Sequence, residues 1–174
     1  MTMGPRLRKA ALTAHVAASV GWLGAVVVFV GLAVVGLTSG DAQTVRGAYL
    51  VMEPAGWYVL VPLGLLSLLT GLVQSLGTHW GLFRHYWVLA KLSINVVATI
   101  VLLLYMQTLG YLADVAAETT GDDLTALRSA SPLLHAGAAL LLLLVATTLS
   151  VVKPRGMTRY GQRRQQQRLG RRAG

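Results

Sequence analysis

The chain has 174 residues, of which 55% are hydrophobic and only 12% charged, with a formal net charge of +9. That charged share is about half of what an ordinary soluble domain uses to cover itself, which argues against a soluble enzyme. The absence of cysteine excludes disulfides and thiolate metal sites.

Uncharged stretches run over 10–40, 54–83, 92–113 and 129–152. Each exceeds the roughly 20 residues with which a helix crosses a hydrocarbon core of about 30 Å. Lipid offers no hydrogen-bond partners, so such segments must be helices or closed barrels. Runs such as Leu140 to Leu144 lack the alternation of barrel strands. The expected fold is an all-α four-helix transmembrane bundle over 1–152. Its spans lie near 12–37, 54–76, 87–111 and 131–152, and a basic tail follows over 153–174.

The basic start, Arg6, Arg8 and Lys9, followed by an apolar run has the outline of a signal peptide. The apolar run is too long and has no small-x-small cleavage site, so an uncleaved first span is expected. Within it Ala17, Gly21 and Ala25 recur every fourth residue, a ridge that lets another helix approach closely. His15, Ser19 and Trp22 share a second face at i, i+4 and i+7. A loop over 38–53 with Gly40-Asp41 turn chemistry leads to Pro54, expected in the first turn of the second span. Pro62 should kink that span. Ser67, Thr70, Gly71 and Gln74 give it a weakly polar stripe. The short connection over 77–86 carries His79, Trp80, His85 and Tyr86, side chains suited to a headgroup interface.

The third span places Lys91 and Asn95 one turn apart. The acidic segment after it should form a loop with a short surface helix from about Asp122. Ser131-Pro132 is a cap-and-first-turn pair for the fourth span. The tail, rich in Arg, Gln and Gly and free of acids, is expected to be disordered. Lacking aromatic interleaving and a folded module, it is not expected to bind nucleic acid. Anionic lipid headgroups are the nearer partner.

Thirteen of the fifteen basic residues precede the first span, join the second to the third, or follow the fourth. All six acids lie in the other connections. The positive-inside rule then sets both termini in the cytoplasm of a multi-pass protein, here of a bacterial plasma membrane.

Ligands of one site must share one depth. Counting helical rise from the cytoplasmic face, His15, Ser19, Gln74, Lys91 and Asn95 fall on a common inner level, with His85 at its edge. His135 lies about 20 Å away, on the level of Glu53, Tyr105 and Gln107, so one ion or haem cannot bridge His15 and His135. His15 is the candidate haem or metal ligand, with His85 as a second metal donor, because imidazole suits iron, copper and zinc. Its bland alternative is a neutral histidine bonded between helices or snorkelling to the interface. Lys91 offers a counter-charge to an anionic group, or simply reaches the headgroups. His135 with Glu53 reads as a helix-packing hydrogen bond, or as an outward proton or metal site. Phosphate loops, His-Glu-x-x-His runs and a Ser/His/Asp set at one depth are missing, so no catalytic residue is assigned. No pair of spans is broken in matching positions, which disfavours a solute carrier.

The stretch HVAASVGWLG, His15 to Gly24, resembles the His-x6-Trp-x-Gly opening of small bacterial membrane families. These include the copper-resistance D-type proteins and the membrane-bound protoporphyrinogen oxidases of the HemJ type. YWVLAKL, Tyr86 to Leu92, looks like the Trp-x3-Lys-Leu opening of a later span in them. More of the chain is similar to an uncharacterised actinobacterial four-span family, through GTHWGLFRHYW (77–87), HAG (135–137) and LSVVKP (149–154). The haem branch implies His15 as an axial ligand assisted by Lys91. The copper branch implies Met- and His-rich outer segments, for which this chain offers only Met52, Met106 and His135. Two functions follow as expectations. One is haem or metal (copper) binding at the inner polar level, with Gln74, Asn95 and Ser19 completing the site. The other is a non-catalytic subunit or scaffold that binds partner helices, a second copy of itself, or anionic lipid.

Overall fold

The computed structural model describes residues 3–77, 82–152, 154 and 156–173. Every regular element among them is helical, with a single bridging pair, His85 and Met157. The helices are α1 (Pro5–Thr38), α2 (Ala42–Ala55), α3 (Val61–Gly77), α4 (Tyr86–Glu118), α5 (Ser131–Val152) and α6 (Arg159–Ala173). One π-helical turn, Gly56–Leu60, joins α2 to α3. Four rods, Pro5–Thr38, Ala42–Gly77, Tyr86–Glu118 and Thr125–Val152, are long and apolar enough to cross a membrane. Their outward faces are apolar too, as at Val20, Val28, Leu104 and Leu141. Such a surface is stable against lipid and not against water.

The helices outrun the expected spans. The segment over 38–53, expected as a loop, is mostly α2. Asp41 caps it by accepting from Thr44 N at 2.8 Å and from the Thr44 hydroxyl. Those hydrogen bonds hold the Asp41 carboxyl below the usual carboxylate range. Val45, Ala48, Tyr49 and Met52 then bury one face at i, i+3, i+4 and i+7. Pro54 consequently lies inside a helix rather than at its start. Pro62 does not break the rod. In the π turn just before it the Val61 N–H bonds to Gly56 O, five residues back, and the wider turn leaves room for the ring.

The third rod likewise continues to Glu118, burying Leu109, Leu112, Ala113 and Ala116 on one face. The surface helix expected near Asp122 is a single 3-10 turn, Thr125–Leu127, set by the Asp123 carboxylate accepting from Thr125 N at 3.0 Å. The fourth span, α5, has the expected bounds.

Successive rods alternate in direction. The beginnings of α1 and α4 and the ends of α3 and α5 therefore meet at one end of the bundle, the terminal end, where Met3 N donates to Gly77 O. Laterally α1 packs against α3 and α5, and α4 against the same two, closing a four-membered ring. At the far end α2 wedges against α1 and α4. There the core is dense: Phe29, Tyr49, Met52, Met106, Leu109 and Leu127 are almost wholly buried. Of the expected ridge, Gly21 meets Leu63 of α3, whereas Ala17 faces outward. Far-end arginines serve chain ends. Arg128 donates to Leu37 O at 2.6 Å and to Ser39 O, closing α1, and Arg46 donates to Gly121 O at 2.8 Å.

The tail, expected to be disordered, carries a helix, α6, over Arg159–Ala173, and the start of that helix is pinned. Thr158 donates from N to Arg84 O at 2.9 Å and from its hydroxyl to Phe83 O, and it accepts from Gly161 N at 3.1 Å. A Cβ on Gly161 would stand 2.5 Å from Arg84 O, so this close approach needs glycine. The sequence-predicted interface residues His79 and Trp80, and the basic residues Lys153 and Arg155, lie outside the described residues.

Candidate functional site

Each ring helix brings a short face to the terminal half of the bundle. On α1 His15, Ser19 and Trp22 stack at i, i+4 and i+7. On α3 Ser67, Gly71 and Gln74 repeat that spacing, and on α4 Val88, Lys91 and Asn95 share a face. With Leu143, Ala146 and Ser150 of α5 they line one cavity of about 680 Å³. All five side chains expected on the inner level, His15, Ser19, Gln74, Lys91 and Asn95, line it. Trp22, 2% exposed, separates it from the dense far-end core.

The hydrogen bonds around His15 assign its ring. Its Nδ1 lies 3.1 Å from the Thr70 hydroxyl, and that hydroxyl donates its one proton to Leu66 O of its own helix. The hydroxyl therefore accepts from His15, which places the ring proton on Nδ1 and a lone pair on Nε2. Gly71 permits this contact, since a Cβ there would stand 3.0 Å from His15 Cε1. Ser19 and Ser67 are hydrogen-bonded at 2.8 Å. Gln74 differs: its Nε2 is buried with no partner among the described residues. Among the described residues the lining carries two cations, Arg8 and Lys91, and no carboxylate.

Other expected groupings do not form. His85 precedes α4 in extended conformation and is bridged to Met157; it is not part of the lining. Its ring lies 6.3 Å from that of Trp87, which does line the cavity. Met52 and Met106 are fixed in the far-end core. His135 turns to Tyr105, ring on ring at 4.0 Å, and its Nδ1 bonds to Ser131 O at 2.9 Å. Tyr105 reaches Ser131 Oγ at 3.0 Å. Glu53 instead sits beside Gly110, and Gln107 is exposed.

Comparison with protein-family models, with curated proteins and with solved structures finds no match. The chemistry is therefore read from the cavity itself.

A bare metal ion does not suit it. No group of three or more His, Asp or Glu gathers to hold one among the described residues, and structural and catalytic metal sites take at least three protein ligands. An organic group with an acidic substituent suits it better. His15 Nε2 offers one lone pair, Lys91 and Arg8 offer positive charge, Gln74 offers N–H, and the remaining wall is largely apolar. Thr70, Ser150 and Arg8 were not read as site residues from the sequence. Thr70 belonged to the polar stripe of the second span, Ser150 is a rare hydroxyl on an apolar helix, and Arg8 was counted only for topology.

Proposed function

We propose that the protein binds, inside its four-helix ring, an amphiphile bearing an acidic group, and that this cavity lies in the cytoplasmic half of the membrane. Gln74 carries the reading: an amide nitrogen buried without a partner among the described residues, in a cavity whose described lining includes Arg8 and Lys91. Such a group costs about 1–3 kcal/mol while unpaired, and an acceptor oxygen on a ligand removes that cost. The volume lies within the range of ordinary small-molecule sites. The cytoplasmic placement rests on the thirteen basic residues at the terminal end. The charges of the tail there face anionic headgroups, each worth about 1 kcal/mol near the surface.

Haem belongs to this ligand class and is the member that the motif resemblance implies. His15 would hold it through Nε2, and Lys91 and Arg8 would meet its carboxylates. When bound it would supply a redox-active iron. Copper alone is not proposed, for want of further ligands.

The test is a titration of the protein in neutral-lipid nanodiscs with dansyl-tagged undecanoic acid, then competition by haemin. Saturable fluorescence enhancement is expected. Lys91→Ala and Gln74→Leu should each weaken it about tenfold, as loss of a hydrogen bond to a charged group does. His15→Ala should weaken haemin more than the fatty probe. An absence of saturable binding, or binding indifferent to Lys91 and Gln74, overturns the reading. A scaffold role then takes its place, favoured by Gly24 and Gly31 on the outward face of α1, where nothing lies within 4 Å.

A further inference from the structure

The walls of the cavity differ in exposure. Every lining residue from α3 and α4 is buried or half-buried. Lining residues that are also open outward come from the other two helices: Arg8, Leu12 (53%), Val16 (50%) and Val20 (63%) on α1, and Thr147 and Val151 (77%) on α5. The cavity therefore opens sideways, through the gap between α1 and α5. This rim is mostly aliphatic, with Arg8 at its terminal edge and Thr147 on α5, and it belongs to two rods that are themselves apolar enough to cross a membrane. Gln74, Lys91 and Asn95 stand opposite on the α3–α4 wall, and His15, Ser19 and Ser150 line the cavity from the rim helices.

That polarity gradient points inward from an apolar slot to a cationic, N–H-bearing back wall. A water-borne anion would have to cross the hydrocarbon-facing rim, at the cost of desolvating its charge. A membrane-dissolved acid meets neither barrier: its chain is already in hydrocarbon, and only its head exchanges water for Lys91 and Gln74. Resting on the reading of the cavity as an amphiphile site, we infer that its ligand is a bilayer-borne long-chain acid, carboxylate or phosphate. It enters between α1 and α5, sets its head against Lys91 and Gln74, and leaves its chain in the α1–α5 gap.

The experiment uses the full chain in neutral phosphatidylcholine nanodiscs and palmitic acid with a diazirine near the chain end. Palmitic methyl ester with the same diazirine is the neutral control, and the phosphate monoester of the tagged alcohol reports on the second head group. Photolysis should concentrate adducts on peptides covering 12–20 of α1 and 147–151 of α5. Lys91→Gln should reduce them about tenfold, by loss of a charge-assisted hydrogen bond. Val16→Trp, which fills the slot from its lipid-facing side, should do the same. Val20→Trp is the second rim variant, and helical circular dichroism checks that each variant is folded. The ester should label all lipid-facing helices evenly. Even labelling by the acids, equal labelling by acid and ester, or indifference to both rim variants overturns the inference. If dansyl-tagged undecanoic acid still binds in a Lys91-dependent way in that case, the lateral route alone falls. If that binding is missing too, the cavity reading falls with it.

Discussion

Tyr49 shows how much one side chain decides at the far end. Its ring is 1% exposed, it presses on Gly36 of α1, and its hydroxyl donates to Leu127 O at 2.8 Å. One residue thus ties α2 to α1 and to the turn that leads into α5. Tyr49→Phe keeps the packing and removes one of the hydrogen bonds to the Leu127 carbonyl, which still accepts from Ser129 N at 2.8 Å, a loss of about 1 kcal/mol. The expected outcome is a lower thermal midpoint in detergent, with dansyl-tagged undecanoic acid binding unchanged, because the cavity lies beyond Trp22. A midpoint equal to that of the wild type would mean that the hydroxyl is solvated and the far end looser than its burial implies. Arg46, half-buried and donating to Gly121 O through an exposed hydrogen bond, should matter less when replaced by Ala, as surface contacts usually do.

At the scale of elements, the spans were legible as uncharged runs and their ends were not. Hydropathy stops where the hydrocarbon stops, but a helix continues wherever a cap and a buried face support it. Asp41 with Val45, Ala48, Tyr49 and Met52 does this for α2, and Leu109, Leu112, Ala113 and Ala116 do it for the end of α4. Both patterns have helical spacing, which turn residues and acids masked. The site was legible in depth but not in direction. Helical rise put five polar residues on one level, whereas the Thr70 partner of His15 and the share of α5 depend on how the rods are rotated. The anchor of the tail was not legible, because composition describes a segment and not what holds it. Thr158 and Gly161 pin α6 to the backbone of 83–84. Gly161→Val should break this docking, since its Cβ has no room beside Arg84 O. Trypsin should then cut the arginines of α6 faster, with the bundle's thermal midpoint unchanged. Unchanged cleavage would show that the docking does not protect the helix.

For the whole molecule, geometry and charge supply separate halves of the topology. The alternation of four rods puts both termini, and the connection before α4, at one end, whichever way the bundle faces. It cannot choose between the two orientations, since helix packing is the same whichever end faces the cytoplasm. Charge carries the proposed choice. In the sequence, thirteen of fifteen basic residues fall in the segments of the terminal end and all six acids in those of the far end, and the positive-inside rule would set the terminal end in the cytoplasm. The two exceptions, Arg46 and Arg128, are engaged with backbone carbonyls of Gly121 and of Leu37 and Ser39, so their presence at the far end has a structural cause. Reporter fusions after Gly40 and after Gly121 are expected to register the outside, and a fusion after Gly174 the cytoplasm. Replacing the tail arginines with glutamine should leave this unchanged, because Arg6, Arg8 and Lys9 already hold the first rod. A fusion after Gly121 that registers the cytoplasm would break the four-rod alternation itself. Full inversion of all three would keep the fold and move the mouth of the cavity to the other leaflet, where the tail would no longer meet the anionic inner surface.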